Sequence, residues 1–323
     1  MPLLLNEHDV KQLLPMADLI EAMEKALAAF STGQVQQPVR SMVELGTHGL
    51  LGVMPAALTS PPAAGAKLVS VIPRNHERGL PSHLATIILI DALTGALDAI
   101  LDGRYITEAR TAAVSAVSAR HLARPDSRIV ALIGSGVQAR SHAEALAHVL
   151  PGCAFRIWSP TAANRDQAAR EIEAATGRTT SAAPSAREAA EGADVVVLVT
   201  ASPTPVVEDA WIGGGTHVIG VGACRPNQRE MPAALVGRAR LVVDSRDAAL
   251  KEAGDILLAR AEGVTVDISA ELGEICAGLA PGRAGTPGVT IFKSLGLAVE
   301  DVVSARLVLD RARSAGVGTE VAL

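Results

Sequence analysis

Residues 129–139 read IVALIGSGVQA, an unbroken apolar run that leads directly into a glycine-rich turn. A short strand without polar residues is typical of a parallel sheet that is covered on both faces. The residues that follow, up to about Val149, have the spacing of a helix. This stretch therefore predicts a strand, a tight turn and a helix in direct succession.

The same alternation continues along the chain. Further strands are predicted at 155–158, 194–200, 216–221 and 239–244, and helices at 164–175 and 185–191. Strands that alternate with helices form parallel sheets, because each crossover helix packs back on a face of the sheet. We therefore predict the fold class α/β, with a Rossmann-type doubly wound parallel sheet domain.

The N-terminal third has a different pattern of predicted elements. A predicted helix at 18–30 is followed by short strand-like segments that glycine and proline turns interrupt. This pattern predicts an α+β domain with an antiparallel sheet. A C-terminal helix, predicted from Ser294 to Arg313, could return to it. We therefore predict a discontinuous domain of residues 1–122 and 294–323, and a nucleotide-binding Rossmann domain of residues 123–293.

Composition excludes several classes of protein. The chain has 323 residues, of which 49% are hydrophobic and 20% charged, as in a globular protein of about two domains. A net charge of −5 and only three Phe, two Trp and one Tyr argue against a nucleic-acid partner. Apolar runs are too short to span a membrane, and the N-terminus lacks the pattern of a signal peptide. We expect a cytoplasmic protein.

Cysteines and other metal-binding residues give no site. Cys153, Cys224 and Cys276 are few and widely spaced, which fits neither a disulfide framework nor a zinc site. No group of His, Cys, Asp or Glu has metal-ligand spacing, and no nucleophile elbow is present. We predict no metal site and no hydrolase chemistry.

The glycine-rich turn has the pattern Gly134-x-Gly136-x-x-Ala139. The first glycine permits a tight turn, the second lets the backbone approach a pyrophosphate, and the small third residue lets the helix pack on the strand. The helix N-terminus then offers unpaired N–H groups to the phosphates. Because the turn lies between a strand and a helix, it predicts dinucleotide binding, the alternative being a purely structural turn.

The end of the second strand bears on the choice of nucleotide. NAD sites usually have an acidic residue there for the ribose hydroxyls. Here Trp158 is followed by Ser159, Pro160 and Thr161, with Asn164 and Arg165 nearby. These side chains could receive a 2′-phosphate, so we predict NADP in preference to NAD. The alternative is a plain turn with a helix cap.

Three basic residues lie in apolar or small-residue surroundings outside the nucleotide domain. Lys67 is in a predicted strand, Arg110 begins a helix segment of small residues, and Arg40 precedes a strand. A buried cation needs an anion, which is a carboxylate of either the protein or the substrate. Arginine suits bidentate binding of a carboxylate, and a desolvated lysine can donate a proton near neutral pH. Internal salt bridges are the alternative. His83, before a strong strand, could also contact substrate.

Several stretches together resemble the ornithine cyclodeaminase/mu-crystallin family, nearly from end to end. They are Gly65-Ala66-Lys67, Pro81 to Thr86, Asp102-Gly103, Thr107 to Ala113, Gly134 to Ala139, Gly222 to Pro226, Asp244-Ser245 and Phe292 to Gly296. The resemblance implies a homodimer formed through the N-terminal domain, a Rossmann domain that carries NAD(P), and a substrate bound between the domains.

The resemblance also implies roles for individual residues. Arg40, Lys67 and Arg110 match positions that hold the substrate carboxylate, with Lys67 as the proton donor. Nucleotide contacts are implied for Thr111, Gly134, Ser135, Gly136, Val137, Gln138, Ser159, Thr161, Thr200, Ala201, Val221 and Gly222. Lys293 matches a loop near the nicotinamide.

One departure selects a branch of the family. Cyclodeaminases have an aspartate in the loop after the fifth strand, where this chain has Cys224. A thiol cannot supply a carboxylate's charge or act as the same base, and we interpret Cys224 as a packing or lining residue. The departure disfavours ornithine cyclisation and favours the mu-crystallin-like reductases of cyclic ketimines.

The predicted function is therefore the NAD(P)H-dependent reduction of a small cyclic 2-imino acid, such as Δ1-pyrroline-2-carboxylate or Δ1-piperideine-2-carboxylate. The alternatives are reductive amination of a 2-oxo acid, as in alanine dehydrogenase-like members, ornithine cyclodeamination, and nucleotide-dependent binding of a small ligand without catalysis.

Overall fold

The computed structural model describes residues 1–283 and 287–322. Residues 284–286 and 323, which fall within the predicted domain ranges, lie outside the described residues. The chain divides into two compact units: unit 1 consists of Met1–Arg110 and Gly296–Leu323, and unit 2 consists of Thr111–Leu295. Among the described helices, none is both long enough and apolar enough to cross a membrane.

The strands are, in chain order, β1 (Leu3–Leu5), β2 (Val35–Gln36), β3 (Ser41–Glu44), β4 (Leu50–Thr59), β5 (Pro62–Val71), β6 (His83–Ile90), β7 (Leu97–Asp102), β8 (Ile129–Ile133), β9 (Ala154–Trp158), β10 (Thr180–Ala182), β11 (Val195–Leu198), β12 (His217–Gly220), β13 (Arg240–Val243), β14 (Ile268–Glu271), β15 (Thr290–Lys293) and β16 (Thr319–Glu320).

The α-helices are α1 (Glu7–Leu13), α2 (Met16–Ser31), α3 (Arg104–Leu122), α4 (Val137–Val149), α5 (Ala162–Thr176), α6 (Ala186–Ala190), α7 (Ala233–Arg238), α8 (Arg246–Glu252), α9 (Gly254–Ala261), α10 (Leu272–Cys276) and α11 (Ala298–Ala315).

Unit 1 is built on one mostly antiparallel sheet. Its strand order is β16-β1-β7-β6-β5-β4-β2, and β3 pairs with β4. The C-terminal helix α11 packs against β4, β5, β6 and α2, so the two ends of the chain contribute to one unit. The apolar positions predicted on α2, among them Leu19, Met23 and Leu27, are buried against this core. Because α11 covers one face, residues alternate along β4 between buried and more exposed positions.

Unit 2 contains a second, entirely parallel sheet. Its order is β10-β9-β8-β11-β12-β15-β13-β14, with every printed pairing parallel. All residues of β11, β12 and β15 are buried, as expected for strands covered on both faces. The chain order reverses between β8 and β11, which is where doubly wound sheets bind ligands. The predicted fold class, a Rossmann-type domain with a second α+β domain, is confirmed.

The boundaries of the units differ from the predicted ones. The first lies between Arg110 and Thr111, within α3, and not after residue 122. The second lies between Leu295 and Gly296, and not after residue 293. Helix α3 is continuous across the first boundary, and a continuous helix carries no local signal at the point where its neighbours change.

Candidate functional site

Lys67 lies on β5, on the sheet face that packs against α11, and is 1% exposed. Its Nζ forms a buried ion pair with Asp301, 2.6 Å from Oδ2. Nζ also donates to Oγ1 of Thr107 at 3.4 Å. Burial lowers the pKa of Lys67 to about 8; the charge of Arg110 acts in the same direction and Asp301 opposes it. The ammonium form therefore still dominates at pH 7.

Arg110 is buried on α3 and reaches the same carboxylate. Its Nε donates to Oδ1 of Asp301 at 3.0 Å, and its Nη1 donates to Oε2 of Glu300 at 2.6 Å. Both acids lie in the first turn of α11, where the helix dipole favours negative charge. Burial alone would raise the pKa of Asp301, but Arg110 and Lys67 outweigh burial and hold it below its usual value. Asp301 thus bridges the two predicted substrate-binding cations.

Arg40 and His83 lie in the same unit. Arg40 is half-buried just before β3, and Gln37 in the same segment accepts a hydrogen bond from the backbone N–H of Val299 at 2.9 Å. The segment therefore runs beside the start of α11. His83 begins β6, on the same face as Ile87, which pairs with Lys67. Burial, then the charges of Lys67 and Arg110, lower the pKa of His83 to about 4, so its ring is neutral at pH 7.

These contacts show the internal salt bridges that the sequence left as an alternative to a substrate clamp. Lys67 and Arg110 each have a protein carboxylate partner. Arg110 contacts two carboxylates, those of Asp301 and Glu300. An ammonium has three N–H donors, and Asp301 and Thr107 are two partners of the Lys67 ammonium. The cluster formed by Lys67, Arg110, Glu300 and Asp301 is called the cation–carboxylate cluster below.

In unit 2, the glycine-rich turn has the geometry that its sequence predicts. Gly134 has φ +123°, and a Cβ there would lie 2.6 Å from the carbonyl oxygen of Val199, so only glycine fits between β8 and the end of β11. Gly136 is the N-cap of α4 and has no side-chain cap. Its φ is −82° and an added Cβ would meet no described atom within 4 Å, so the described fold does not itself require glycine there. The unfilled space and the uncapped helix end fit a phosphate group.

The residues around this turn differ in exposure. Val137 is 52% exposed in the first turn of α4, whereas Ala139 is fully buried where α4 meets the sheet. Ser135 and Gln138 are half-buried. Thr111 lies on α3, and its carbonyl accepts a hydrogen bond from Ser115 at 3.0 Å.

Polar groups gather at the end of β9. Ser159 is buried and donates weakly to the carbonyl of Thr161 at 3.4 Å. Thr161 is the exposed N-cap of α5, but its side chain makes no cap hydrogen bond, so the helix cap that the sequence left as an alternative is not made by Thr161. Arg165 donates from Nη1 to the carbonyl of Ser159 at 3.4 Å. The strand end therefore carries two hydroxyls and a guanidinium.

The loops after β11 and β12 are joined by Glu230, which the sequence did not indicate. One oxygen of its buried carboxylate accepts hydrogen bonds from the N–H and hydroxyl of Thr200, at 2.7 and 2.8 Å. The other accepts the N–H groups of Gly222 and Ala223, at 2.6 and 3.2 Å. Ala201 is exposed, and Val221 is almost fully buried.

Lys293 ends strand β15 and does not lie in a loop, which corrects the expectation drawn from the family resemblance. It is fully buried, with Nζ 3.1 Å from Oδ2 of Asp255. Burial alone would lower the pKa of Lys293, but the charges of Asp255 and Glu230 outweigh it and raise the pKa. The thiol of Cys224 donates to the carbonyl of Val221 at 3.1 Å.

The acidic members of these networks were missed by sequence reasoning. Glu300 and Asp301 could have been proposed as partners of the buried cations. They are adjacent acids in a predicted helix, and a buried cation needs an anion. Glu230 and Asp255 had none, because they lie in segments without a clear periodic pattern and act through contacts distant in sequence.

Comparison with known proteins agrees with this architecture. The model of the ornithine cyclodeaminase/mu-crystallin family matches residues 1–316. Ketimine reductase mu-crystallin from Rattus norvegicus is 41% identical over 314 residues, which cover 96% of this chain and 97% of that protein.

Two solved structures are similar over the whole chain. Delta(1)-pyrroline-2-carboxylate reductase of Thermococcus litoralis, in complex with NADH and L-proline, has a TM-score of 0.96 and 39% identity, covering 99% of this chain and 100% of that chain. An archaeal alanine dehydrogenase dimer with bound NAD has a TM-score of 0.92 and 34% identity, covering 100% and 99%. With its full-length match to the family model, the chain belongs to the ornithine cyclodeaminase/mu-crystallin family.

Proposed function

We propose that this protein is a ketimine reductase, which uses NAD(P)H to reduce a small cyclic 2-imino acid to the cyclic amino acid. The substrate class is that of Δ1-pyrroline-2-carboxylate and Δ1-piperideine-2-carboxylate. The observation that carries the proposal is the full-length similarity to a reductase that binds NADH and L-proline, in a chain with a buried cation–carboxylate cluster.

The cluster would hold the carboxylate of the substrate. Arg110 and Lys67 are fixed relative to each other because both contact Asp301, at 3.0 and 2.6 Å. Such preorganisation lowers the cost of ordering two long side chains when an anion binds. We propose that Arg40 adds a further positive charge, and that neutral His83 contacts the substrate through a hydrogen bond.

Lys67 is the proposed proton donor to the imine nitrogen. A pKa of about 8 leaves the group protonated at pH 7 and makes it a better acid than an ordinary lysine. Cyclic imines can already carry this proton near neutral pH. In that case Lys67 orients the substrate and does not protonate it.

The nucleotide would lie along the carboxyl edge of the unit 2 sheet. The uncapped N-terminus of α4 would hold the pyrophosphate, with Gly134 and Gly136 giving the backbone room. When bound, the dihydronicotinamide supplies a hydride to the imine carbon. The other proposed contacts are Thr111, Ser135, Val137, Gln138, Ser159, Thr161, Thr200, Ala201, Val221, Gly222 and Lys293.

NADP remains the preferred nucleotide in this proposal. The end of β9 is followed by Ser159 and Thr161, with no acidic residue to bind a ribose 2′-hydroxyl. Arg165 adds a cation at the same place, beside the carbonyl of Ser159. Hydroxyls and a guanidinium suit a 2′-phosphate.

Reductive amination of a 2-oxo acid is the second candidate, because an alanine dehydrogenase is also similar over the whole chain. Ornithine cyclodeamination is disfavoured, since Cys224 stands in place of the expected aspartate and its thiol is bonded to a backbone carbonyl.

A homodimer is the proposed assembly. Strands β5 and β6 lie inside the unit 1 sheet, yet Leu68, Leu84 and Ile90 are 39%, 39% and 37% exposed. The solvent face of an antiparallel sheet is normally polar, so these residues suit a second copy of the chain. The proposed location is the cytoplasm, because three widely spaced cysteines do not form the disulfide framework typical of secreted proteins.

The test is a substrate panel with purified protein and each reduced nucleotide. Cyclic 2-imino acids should be reduced without added ammonium. Oxidation of NAD(P)H only with pyruvate and ammonium would favour the second candidate, and ammonia release from ornithine without net nucleotide oxidation would identify a cyclodeaminase. Nucleotide-dependent ligand binding without turnover on any substrate would identify a binding protein.

A further inference from the structure

The two loops that follow β11 and β12 approach each other closely at the carboxyl edge of the unit 2 sheet. A Cβ added to Gly222 would lie 1.9 Å from the carbonyl oxygen of Thr200 and 2.6 Å from Oε1 of Glu230. Glycine is therefore required at this position by the neighbouring loop, and a shift of one loop would be transmitted to the other.

Glu230 holds both loops through one carboxylate. Four donors converge on it, two from Thr200 and two from the backbone of Gly222 and Ala223, at distances of 2.6 to 3.2 Å. Three of the donors are backbone N–H groups, which cannot accept, so both oxygens must act as acceptors. A carboxylate meets this requirement and a carboxamide does not.

The backbone at Glu230 is itself held by a second buried carboxylate, that of Asp255. The N–H groups of Glu230 and Met231 donate to Oδ1 of Asp255, at 2.8 and 2.9 Å. The other oxygen of Asp255 lies 3.1 Å from Nζ of Lys293, at the end of β15. Glu230, Asp255 and Lys293 are each no more than 1% exposed. The chain of contacts thus links the ends of β11, β12 and β15.

We propose that Glu230 is a positioning residue, which sets the relative placement of the Thr200 and Gly222 loops and thereby the affinity for the nicotinamide half of the nucleotide. The end of β9 is where the adenosine ribose is expected. Strands β11 and β12 lie on the other side of β8 from β9. We therefore expect the loops after β11 and β12 to contact the nicotinamide half of the nucleotide. The inference rests on the nucleotide binding proposed above.

The test compares Glu230→Gln with Asp194→Asn. Asp194 is a control because its carboxylate also accepts two backbone N–H groups, those of Arg128 and Ile129 at 2.7 and 2.9 Å, but at the opposite edge of the same sheet. Both variants exchange a carboxylate for an amide whose nitrogen faces N–H donors. The dissociation constants of NADH and NADPH are measured by titration at a temperature where every variant is folded.

We expect Glu230→Gln to weaken binding of the preferred nucleotide by about tenfold or more, because hydrogen bonds to one loop are lost. The KM for the nucleotide should rise with it, while the KM for the imino acid changes little. Amide hydrogen exchange should accelerate at Thr200, Gly222 and Ala223. Asp194→Asn should leave nucleotide affinity unchanged and accelerate exchange at Arg128 and Ile129.

Equal nucleotide affinity in wild type and Glu230→Gln would overturn the inference while leaving the proposed function intact. A wild type that binds neither nucleotide would overturn both. If Glu230→Gln does not fold, Thr200→Val removes a single donor to Glu230. Thr200→Val should then accelerate amide exchange at Gly222 and Ala223 as well as weaken nucleotide binding, and the exchange decides, because Thr200 is itself a proposed nucleotide contact. Unchanged affinity and exchange in Thr200→Val would also refute the inference.

Discussion

Lys67 shows how a residue stands out in sequence through its surroundings. A lysine between alanine and leucine in a predicted strand indicated burial, and burial implied both a counter-ion and an altered pKa. The structure gives the counter-ion as Asp301 and the pKa as about 8. The identity of the partner could not be predicted, because 234 positions separate the two residues and no local pattern links them.

Replacing Lys67 by methionine should lower kcat for imine reduction by about 100-fold or more, since a positioned proton donor is worth that much. Nucleotide binding should be retained. Lys25→Met, an exposed lysine on α2, is the control and should behave as wild type. Steady-state kinetics at pH 7 check this; full activity in Lys67→Met would remove Lys67 from the mechanism.

Arg165 is the residue on which the choice of nucleotide should depend. If its guanidinium binds a 2′-phosphate, Arg165→Ala should raise the KM for NADPH by about tenfold, as expected for a lost charge-assisted hydrogen bond, and leave the KM for NADH unchanged. Arg156→Ala, on β9 itself, is the control, because that side chain donates to the carbonyl of Glu191. A wild type that prefers NADH would contradict the NADP assignment directly.

At the scale of elements, strand β8 was predictable from the sequence, whereas strand β15 was not. Strand β8 was predicted residue for residue, because its five apolar residues lie between a charged residue and a glycine. Strand β15 was missed since it has only four residues and ends in a lysine. Its pairing with β12 and β13 buries that lysine, and such long-range pairing leaves no local trace.

The first turn of α11 supplies the carboxylates of the cation–carboxylate cluster, so changing it should affect stability and catalysis together. Asp301→Asn removes one partner from two buried cations and should reduce the free energy of unfolding by about 3–5 kcal/mol at neutral pH. The native-state pKa of Asp301 lies below its usual value of 3.8. Its charge therefore stabilises the fold fully above pH 3.8, and this contribution is lost as the pH falls through the native-state value. Denaturant unfolding of both proteins between neutral and acid pH measures the difference.

Asp301→Asn should also shift the pH at which kcat/KM falls on the alkaline side. In wild type, kcat/KM should fall as the pH rises through about 8, because Lys67 loses its proton. Asp301 raises the pKa of Lys67, so Asp301→Asn should shift the limb to lower pH. A limb at the same pH in both proteins would assign it to the substrate imine.

At the scale of the whole molecule, the exposed apolar face of β5 and β6 should form a contact between two copies. Leu84→Lys places a charge on this face and should shift the protein from dimer to monomer in light scattering after size exclusion. Leu93→Lys is the control, since Leu93 is 92% exposed in the turn before β7. A monomeric wild type would show that the proposed contact does not form. A dimer that Leu84→Lys leaves intact would place the contact on another surface.

The central claim is that a buried set of cations holds the carboxylate of a cyclic imine while NAD(P)H reduces it. The most direct test is the ratio of kcat/KM for Δ1-pyrroline-2-carboxylate to that for Δ1-pyrroline, which lacks the carboxylate. The account predicts a preference of about 1,000-fold or more for the carboxylate-bearing imine, since the smaller compound makes none of the charge-assisted hydrogen bonds that a carboxylate would make with the cations. Equal reduction of the two imines, or reduction of neither, would contradict it.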